Sequence, residues 1–385
     1  MKPIKIVTIV GARPQFIKAA AVCRAIQEFN KKKRRILEVL VHTGQHYDYL
    51  MNGIFFEELD LPKPDYHLEV GSASHGKQTG LMLERIEEVL EKERPEVILV
   101  YGDTNSTLAG ALAAAKMNIP VAHVEAGLRS YNRVMPEEIN RLLADHVSTF
   151  LFCPTDQSVW NLSEEGIKDG KKTVVKKVGD VMYDSILYYS KMAETKSTIL
   201  QALGLFNPSV PRPTTHDSRP TNYYLATLHR AENTDDPGRL KSILGALKEI
   251  GRDVPVVLPL HPRTRKMMAA YHVPSESKGI KVIEPVSYLD MLLLEKHAKA
   301  ILTDSGGVQK EAYWFKVPCF TLRNETEWAE TVRSGWNALV GTEEKRIVRG
   351  VKHRRGSKAP SRERSIFGDG RASQKIIEAI AGVFE

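Results

Sequence analysis

The stretch that decides the fold runs from a strand into a helix: Ala300-Ile301-Leu302-Thr303-Asp304-Ser305-Gly306-Gly307-Val308-Gln309-Lys310-Glu311. The adjacent glycines Gly306 and Gly307 let the backbone approach a ligand closely. The helix that follows presents N–H groups and the positive end of its dipole to an anion. Ser305 adds a hydroxyl donor, and Glu311, roughly one turn into the helix, suits a sugar hydroxyl such as a ribose diol. The stretch predicts half of a nucleotide-diphosphate site; the alternative is a tight turn without a ligand.

Length and composition indicate a soluble globular protein of two domains. The chain has 385 residues, of which 42% are apolar and 26% charged. The three cysteines, Cys23, Cys153 and Cys319, are far apart and lie in or beside apolar runs, so we expect buried thiols in a reducing compartment. No apolar run reaches the roughly 18 to 20 residues of a membrane span, and the first one, interrupted by Lys5, does not form a signal peptide. We therefore expect a cytoplasmic protein without a membrane partner.

The formal charge of +8 is concentrated in one segment. Residues 345–366 contain nine Lys or Arg and one acid, Glu363, so this basic segment carries 9 − 1 = +8 and the rest of the chain is neutral. A solvated insertion explains such a segment, and an anionic substrate, a membrane surface or RNA is the alternative. No aromatic-interleaved RNA motif accompanies it, so we expect no nucleic-acid partner.

Alternating strand and helix patterns run through both halves of the chain. In the first half, apolar β-branched runs predict strands at 4–10, 37–42, 97–101, 120–124, 149–153 and 174–178. After a proline-rich irregular loop at 205–221, the rhythm restarts with strands at 223–228, 254–260, 280–283, 300–303 and 318–322, and a closing amphipathic helix covers 374–383.

This alternation of strands and helices predicts an α/β protein with two Rossmann-like, doubly wound domains that face a cleft. We place the N-terminal domain at 1–180 and the C-terminal, ligand-binding domain at 181–371. Nearly every polar cluster directly follows a strand, which is where open α/β sheets bind ligands. The pattern favours an enzyme that closes on a nucleotide-linked ligand.

Four residues are candidates for chemistry: Asp103, Glu125, Glu137 and His229. Converging carboxylates raise one another's pKa, so that one becomes an acid or base usable near neutrality. His229 suits a diphosphate oxygen or proton transfer. Helix caps and surface ion pairs are the structural alternatives for each residue. The sequence lacks Cys-x-x-Cys, His-Glu-x-x-His and Gly-x-Ser-x-Gly, so neither a metal site nor a serine hydrolase is predicted.

A set of motifs resembles the UDP-N-acetylglucosamine 2-epimerase family, in the family's order and over most of the chain. The motifs are Gly11-Ala12-Arg13-Pro14, Gly102-Asp103-Thr104, His123-Val124-Glu125-Ala126-Gly127-Leu128-Arg129, Pro136-Glu137-Glu138-Ile139-Asn140-Arg141, Val178-Gly179-Asp180, His229-Arg230-Ala231-Glu232-Asn233, His261-Pro262 and residues 304–311. The resemblance implies the glycosyltransferase-B fold, commonly as a homodimer, with the last helix (372–385) packed on the first domain.

The resemblance also implies a mechanism and roles. UDP leaves as the C2 proton is removed, giving a 2-acetamidoglucal, and UDP then returns with a proton on the opposite face, without nicotinamide or metal. The family's catalytic carboxylates match Asp103, Glu125 and Glu137, and its diphosphate-side histidine matches His229. The implied substrate- and UDP-binding residues are Arg13, Lys18, His229, Arg230, His261, Ser305, Gly306, Gly307, Glu311 and Arg323. The substrate implied is UDP-N-acetylglucosamine, converted by the non-hydrolysing type of enzyme to UDP-N-acetylmannosamine.

Two departures from the family pattern bear on the substrate and on regulation. Where the family often has Thr-Glu-Arg-Pro-Glu, this chain has Thr326-Glu327-Trp328-Ala329-Glu330, a variant similar to that of relatives acting on UDP-2,3-diacetamido-glucuronic acid. The Gln45-His46 pair of the activator segment is kept, but Tyr47-Asp48 follows it. The diacetamido-uronic substrate, a hydrolysing epimerase, a glycosyltransferase and a non-catalytic nucleotide-sugar sensor remain as alternatives.

Overall fold

A computed structural model describes residues 3–32, 36–45, 58–205, 222–274, 277–354 and 366–384. The chain divides into two compact units, Met1–Tyr188 with Ser365–Glu385 (unit 1) and Tyr189–Arg364 (unit 2). Unit 2 thus begins after Tyr188, whereas the sequence analysis placed the boundary at 180. His46, most of the loop at 205–221 and residues 355–365 of the basic segment lie outside the described residues.

Unit 1 is a seven-stranded parallel sheet flanked by helices. Its elements are β1 Ile4–Val10, α1 Arg13–Lys32, β2 Ile36–His42, β3 Tyr66–His67, α2 His75–Glu93, β4 Val97–Tyr101, α3 Asn105–Lys116, β5 Val121–Val124, α4 Pro136–Val147, β6 Phe150–Cys153, α5 Asp156–Glu164, β7 Val174–Lys177 and α6 Val181–Lys196, the last of which continues into unit 2. The closing helix, α15 (Ala372–Val383), packs on α1.

Unit 2 repeats the architecture with six parallel strands. Its elements are α7 Ile199–Ala202, β8 Tyr224–Thr227, α8 Ala231–Thr234, α9 Pro237–Gly251, β9 Val256–Pro259, α10 Pro262–Ala270, β10 Ile280–Ile283, α11 Tyr288–His297, β11 Ala300–Thr303, α12 Gly306–Trp314, β12 Cys319–Thr321, α13 Ala329–Arg333, β13 Asn337–Leu339 and α14 Glu344–Arg354. These two sheets confirm the prediction of two Rossmann-like α/β domains.

The strand order explains where a ligand can bind. Unit 1 has the order β3-β2-β1-β4-β5-β6-β7, and unit 2 has β10-β9-β8-β11-β12-β13. In each sheet the order reverses once, between β1 and β4 and between β8 and β11. A crevice opens at the carboxyl ends of the strands where such an order reverses, and open α/β sheets bind ligands there.

Local sequence signals set the helix starts beside these crevices. The Thr104 hydroxyl accepts a hydrogen bond from the Thr107 N–H at the start of α3, and Ser305 accepts one from Val308 at the start of α12. Such caps satisfy N–H groups that have no partner within the helix. Pro136 begins α4, where its missing N–H costs nothing.

The central strands are buried on both faces, as their apolar composition predicts; β4 is buried at all five positions. All three cysteine side chains are buried, as predicted. Among the described residues, no helix is long and apolar enough to cross a bilayer. The sequence analysis missed β3 and β13, which have only two and three residues, because such short edge strands carry too little alternation to be recognised.

Candidate active site

The crevice of unit 1 brings together three residues predicted from sequence. Asp103 follows β4, Glu125 follows β5, and Lys18 lies on α1. The Lys18 Nζ atom is 2.6 Å from Glu125 Oε1, and both side chains are less than a tenth exposed. An ammonium and a carboxylate this close and this buried form a strong charge-assisted hydrogen bond. The ion pair therefore holds the Glu125 carboxylate at the carboxyl end of β5.

Asp103 has a second cation as its partner, Arg141 of α4, whose guanidinium NH1 forms a salt bridge with Asp103 Oδ2. Burial raises the pKa of the Asp103 carboxyl, the positive charges of Arg141 and Lys18 lower it, and the negative charges of Glu137 and Glu125 raise it. The net shift is upward. A carboxyl group with a raised pKa can hold or release a proton closer to neutrality than an ordinary aspartate.

The backbone beneath these carboxylates has an uncommon conformation. Glu125 has a φ of 74°, a left-handed value that non-glycine residues rarely adopt. Gly102 has a φ of 63°, and a Cβ atom there would lie 2.9 Å from Lys18 Nζ. The surrounding structure must hold Glu125 in this conformation, because it costs free energy. Such strain is common where a side chain must point into a reactive site.

A buried hydrogen-bond network, which the sequence analysis did not predict, holds the turn at Gly102. Both ring nitrogens of the fully buried His123 lie 2.7 Å from acceptors, Nδ1 from Asp145 Oδ1 and Nε2 from the Gly102 carbonyl oxygen. Arg129 NH1 donates to Asp145 Oδ2 over 2.7 Å. Although burial alone raises the pKa of Asp145, the hydrogen bonds from His123 and Arg129 hold it below its usual range. The available signal was His123 itself, a polar residue inside a buried strand.

Asp304 organises the crevice of unit 2. This fully buried carboxylate accepts hydrogen bonds from the backbone N–H groups of His229 (3.1 Å) and Arg230 (2.9 Å) and from Asn233 Nδ2 (3.2 Å). The His229 Nδ1 atom lies 3.6 Å from Asp304 Oδ1, and the His229 and His261 rings are 5.4 Å apart. Asp304 therefore fixes the turn that carries His229.

A helix begins at the Gly-Gly turn, as the sequence predicted, and anion binding there stays a prediction. Gly306 begins α12, a helix of nine residues, so the N–H groups of its first turn lie at the carboxyl end of β11. The Tyr288 hydroxyl donates to Glu311 Oε1 over 3.3 Å, and both side chains are buried. The helix start can accept a diphosphate, and Glu311 lies one helical turn further on.

Arg323 and Arg230 share a carboxylate partner, Glu327. Arg323 is fully buried; its NH1 atom lies 3.0 Å from Glu327 Oε2 and its Nε atom 3.4 Å from Glu232 Oε1. The Arg230 NH2 atom lies 3.5 Å from Glu327 Oε1. The structure thus places Arg323 as a link between the turn after β8 and the segment after β12, and its direct contact with UDP stays a prediction.

The predicted residues form two sets, one in each unit. Unit 1 holds Arg13, Lys18, Asp103, Glu125 and Glu137, and unit 2 holds His229, Arg230, His261, Ser305, Gly306, Gly307, Glu311 and Arg323. Within the described ranges, no group of three or more His, Cys, Asp or Glu side chains is arranged to hold a metal ion. Together the sets offer carboxylates beside cations in one unit and an anion-accepting helix start in the other.

The protein has two Rossmann-like domains, and the two sets of predicted site residues lie near the carboxyl ends of their strands. These are the features of an enzyme that acts on a nucleotide-linked ligand. A family model described as UDP-N-acetylglucosamine 2-epimerase matches residues 28–381. The chain is 51% identical over 381 residues to a UDP-N-acetylglucosamine 2-epimerase homolog of Methanococcus maripaludis, covering 98% of this chain and 99% of that protein. It is 49% identical over 379 residues to the UDP-2,3-diacetamido-2,3-dideoxy-D-glucuronate 2-epimerase of Pseudomonas aeruginosa, with the same coverage.

A solved structure shows the same relationship. The crystal structure of Methanocaldococcus jannaschii UDP-GlcNAc 2-epimerase in complex with UDP-GlcNAc and UDP matches with a TM-score of 0.87 and 43% identity, covering 99% of this chain and 100% of that one. The chain belongs to the UDP-N-acetylglucosamine 2-epimerase family. The resemblance drawn from the motifs is confirmed.

Proposed function

We propose that this protein interconverts UDP-N-acetylglucosamine and UDP-N-acetylmannosamine. The observation that carries the proposal is the set of three carboxylates in unit 1, in which the charges of Glu137 and Glu125 raise the pKa of Asp103. Two cations lie beside this set: Lys18 pairs with Glu125, and Arg141 pairs with Asp103. Inversion at C2 requires a proton to leave one face of the sugar and another to arrive on the opposite face, so more than one acid–base group is needed.

In the proposed reaction the anomeric C–O bond breaks and its electron pair leaves with UDP. The C2 proton passes to a carboxylate, and the C2–H electron pair forms the double bond of 2-acetamidoglucal. In the return step UDP adds to the anomeric carbon and C2 accepts a proton on the other face. Because C2–H is poorly acidic, departure of UDP must first build positive charge on the sugar, and nearby carboxylates stabilise that charge.

We assign UDP binding to the residues of unit 2. The N–H groups at the start of α12 are suited to bind an anion. Asp304 holds the turn that carries His229. Positive groups and N–H donors stabilise the negative charge that develops on the departing diphosphate. Glu311, held by the Tyr288 hydroxyl, is proposed to accept hydrogen bonds from the ribose hydroxyls.

We further propose the non-hydrolysing course, in which 2-acetamidoglucal stays bound and UDP returns to it. The motifs quoted above support this course, because they resemble those of the family's non-hydrolysing type. A hydrolysing enzyme would instead let water add to the sugar and would release free N-acetylmannosamine.

The test is to incubate the purified protein with UDP-N-acetylglucosamine in D2O and to analyse the products by NMR and mass spectrometry. We expect UDP-N-acetylmannosamine with deuterium at C2. Free UDP with N-acetylmannosamine would identify the hydrolysing type. Absence of exchange would contradict the proposed substrate, and the same assay with UDP-2,3-diacetamido-glucuronic acid would then test the substrate of the Pseudomonas aeruginosa relative.

We also propose that the chain forms a homodimer through α4. Ile139 and Leu143 lie one turn apart on this helix and are 45% and 48% exposed, and exposed neighbouring apolar side chains mark contact surfaces. Light scattering should give a dimer for the wild type and a monomer for the Ile139→Lys/Leu143→Lys variant. Val383→Lys, a change at a residue 57% exposed on α15, is the control and should remain dimeric. A dimeric double variant would show that this surface is not the contact.

A further inference from the structure

The segment that follows β12 is held by two contacts with α12 and by one hydrogen bond within the segment itself. The Thr326 hydroxyl donates to Gln309 Oε1 over 2.7 Å, and the Trp328 backbone N–H donates to Thr326 Oγ1 over 3.1 Å. The Lys310 Nζ atom then lies 3.9 Å from the centre of the Trp328 ring. The segment is therefore held along the first turns of the helix whose N-terminus forms the predicted diphosphate site.

Lys310 is an unusual residue in this position. Its side chain is completely buried, and the Trp328 side chain is 2% exposed. A buried ammonium group is costly unless other groups replace its hydration. The electron-rich faces of Trp328 and, at 5.8 Å, Trp314 supply part of that replacement through cation–π attraction, which strengthens when water is excluded. Burial of the cation thus favours one position of Trp328.

The position of Trp328 determines the position of Glu327. A Cβ atom on Gly306 would lie 3.1 Å from Trp328 Nε1 and would also meet the Glu327 carboxylate, so both side chains pack directly against the first residue of α12. Glu327 in turn lies 3.0 Å from Arg323 NH1. A shift of Trp328 would therefore move a carboxylate and its arginine partner at the diphosphate turn.

We propose that Lys310 and Trp328 are positioning residues for the diphosphate of the UDP-sugar. Their contact holds Glu327 beside Gly306 and thereby fixes Arg323 and Arg230 at the turn, a role that requires no contact between either residue and the ligand. Trp328 is also one of the two positions, with Ala329, at which the chain departs from the family's Thr-Glu-Arg-Pro-Glu pattern. The inference rests on the proposed function, because it assigns UDP to this turn.

The test measures UDP affinity by titration calorimetry together with kcat and KM for UDP-N-acetylglucosamine. Lys310→Met removes the charge but keeps an unbranched apolar chain, and Trp328→Leu removes the ring. We expect each change to weaken UDP binding and raise KM by about tenfold, which is less than the full loss of one desolvated cation–π contact would allow, with kcat within about threefold of wild type. Because the two residues act through one contact, the double variant should lose no more than either single variant.

Two further variants separate positioning from a general effect on folding. Lys310→Arg keeps a cation over the ring and should bind UDP more tightly than Lys310→Met does. Lys316→Met is the matched control, because Lys316 Nζ lies 4.1 Å from the ring of Tyr313 in the same unit and outside the turn. This control should bind UDP as the wild type does.

Several outcomes would overturn the inference. Wild-type UDP affinity in folded Lys310→Met, or additive losses in the double variant, would show that the contact does not position the turn. If Lys310→Met does not fold, Trp328→Leu decides by the same criterion. A wild-type protein that binds UDP without epimerising the sugar would reject the proposed function alone, whereas a wild-type protein that does not bind UDP would reject both.

Discussion

The two units have the same strand order at their crevices but use carboxylates in opposite ways. In unit 1, the carboxylates of Asp103 and Glu125 lie at the strand ends beside Arg141 and Lys18. In unit 2, the buried carboxylate of Asp304 accepts hydrogen bonds from the turn after β8. The same topology thus presents acids in one unit and, in the other, N–H groups that an acid holds in place.

The difference follows from what surrounds each acid. Asp103 is partly buried near two other carboxylates, and desolvation and their charges raise its pKa although Arg141 lies beside it. Asp304 accepts hydrogen bonds from the N–H groups of His229, Arg230 and Asn233 and so holds the turn after β8. The same sheet geometry therefore places an acid among different neighbours in the two units: carboxylates and cations surround Asp103, and N–H donors surround Asp304.

The largest expected effect tests the acids of unit 1. We expect Asp103→Asn, Glu125→Gln and Glu137→Gln each to lower kcat by about 100- to 10,000-fold, because each removes a positioned acid or base, while UDP affinity is largely kept. Steady-state kinetics and calorimetry measure the two quantities. Asp156→Asn removes a carboxylate that pairs with Lys177 on the surface and serves as the control. Rates near wild type in all three variants would reject the assignment of catalysis to unit 1.

The second prediction tests the supporting acid of unit 2. Asp304→Asn replaces two acceptor oxygens with one oxygen and one amide group, so it should lower the free energy of unfolding by about 1–3 kcal/mol and weaken UDP binding. Urea unfolding and calorimetry provide the measurements. Asp236→Asn is the matched control, since this exposed carboxylate accepts hydrogen bonds from Gly238 and Arg239 at a helix start, where asparagine serves equally well. Equal stability of the two variants would contradict a special role for Asp304.

The third prediction concerns pH. The charge of Lys18 lowers the pKa of Asp103, so Lys18→Met should raise it and Asp103 should ionise only at higher pH. If ionised Asp103 is the base, the acidic limb of the kcat–pH profile should then move to higher pH. Lys18→Arg keeps the charge and should leave the limb in place. An unmoved limb in Lys18→Met would show that another group controls it.

The smallest effect concerns the backbone of unit 1. Gly102→Ala introduces a Cβ at a left-handed φ and close to Lys18 Nζ, so it should lower the free energy of unfolding by about 1–2 kcal/mol. Gly80→Ala, in the interior of α2 with no atom near the new Cβ, should instead raise it by about 0.5–1 kcal/mol. Thermal unfolding of both variants measures the difference. A Gly102→Ala variant as stable as Gly80→Ala would show that the turn tolerates side chains.

Sequence patterns predicted the main strands of both sheets and the turns that follow them. Apolar, β-branched runs such as Ile4–Val10 and Ala300–Thr303 have the bounds that the structure shows. The network of His123, Asp145 and Arg129 was not predicted. His123 inside a buried strand was its one local signal, and its members meet only in the folded structure. Arg323 was predicted to bind UDP; the structure places it between Glu232 and Glu327, and its contact with UDP stays a prediction.

The sequence by itself determined the fold class, the family and the residue types at the strand ends, because these depend on local periodicity and on motifs of a few residues. Only the tertiary structure decided which strand ends are neighbours and which charges meet. Lys18 and Glu125 are 107 positions apart, and Asp304 lies 75 positions from His229. Such pairs form only after strand order and burial are set, since long-range packing places the groups and the exclusion of water then strengthens their attraction.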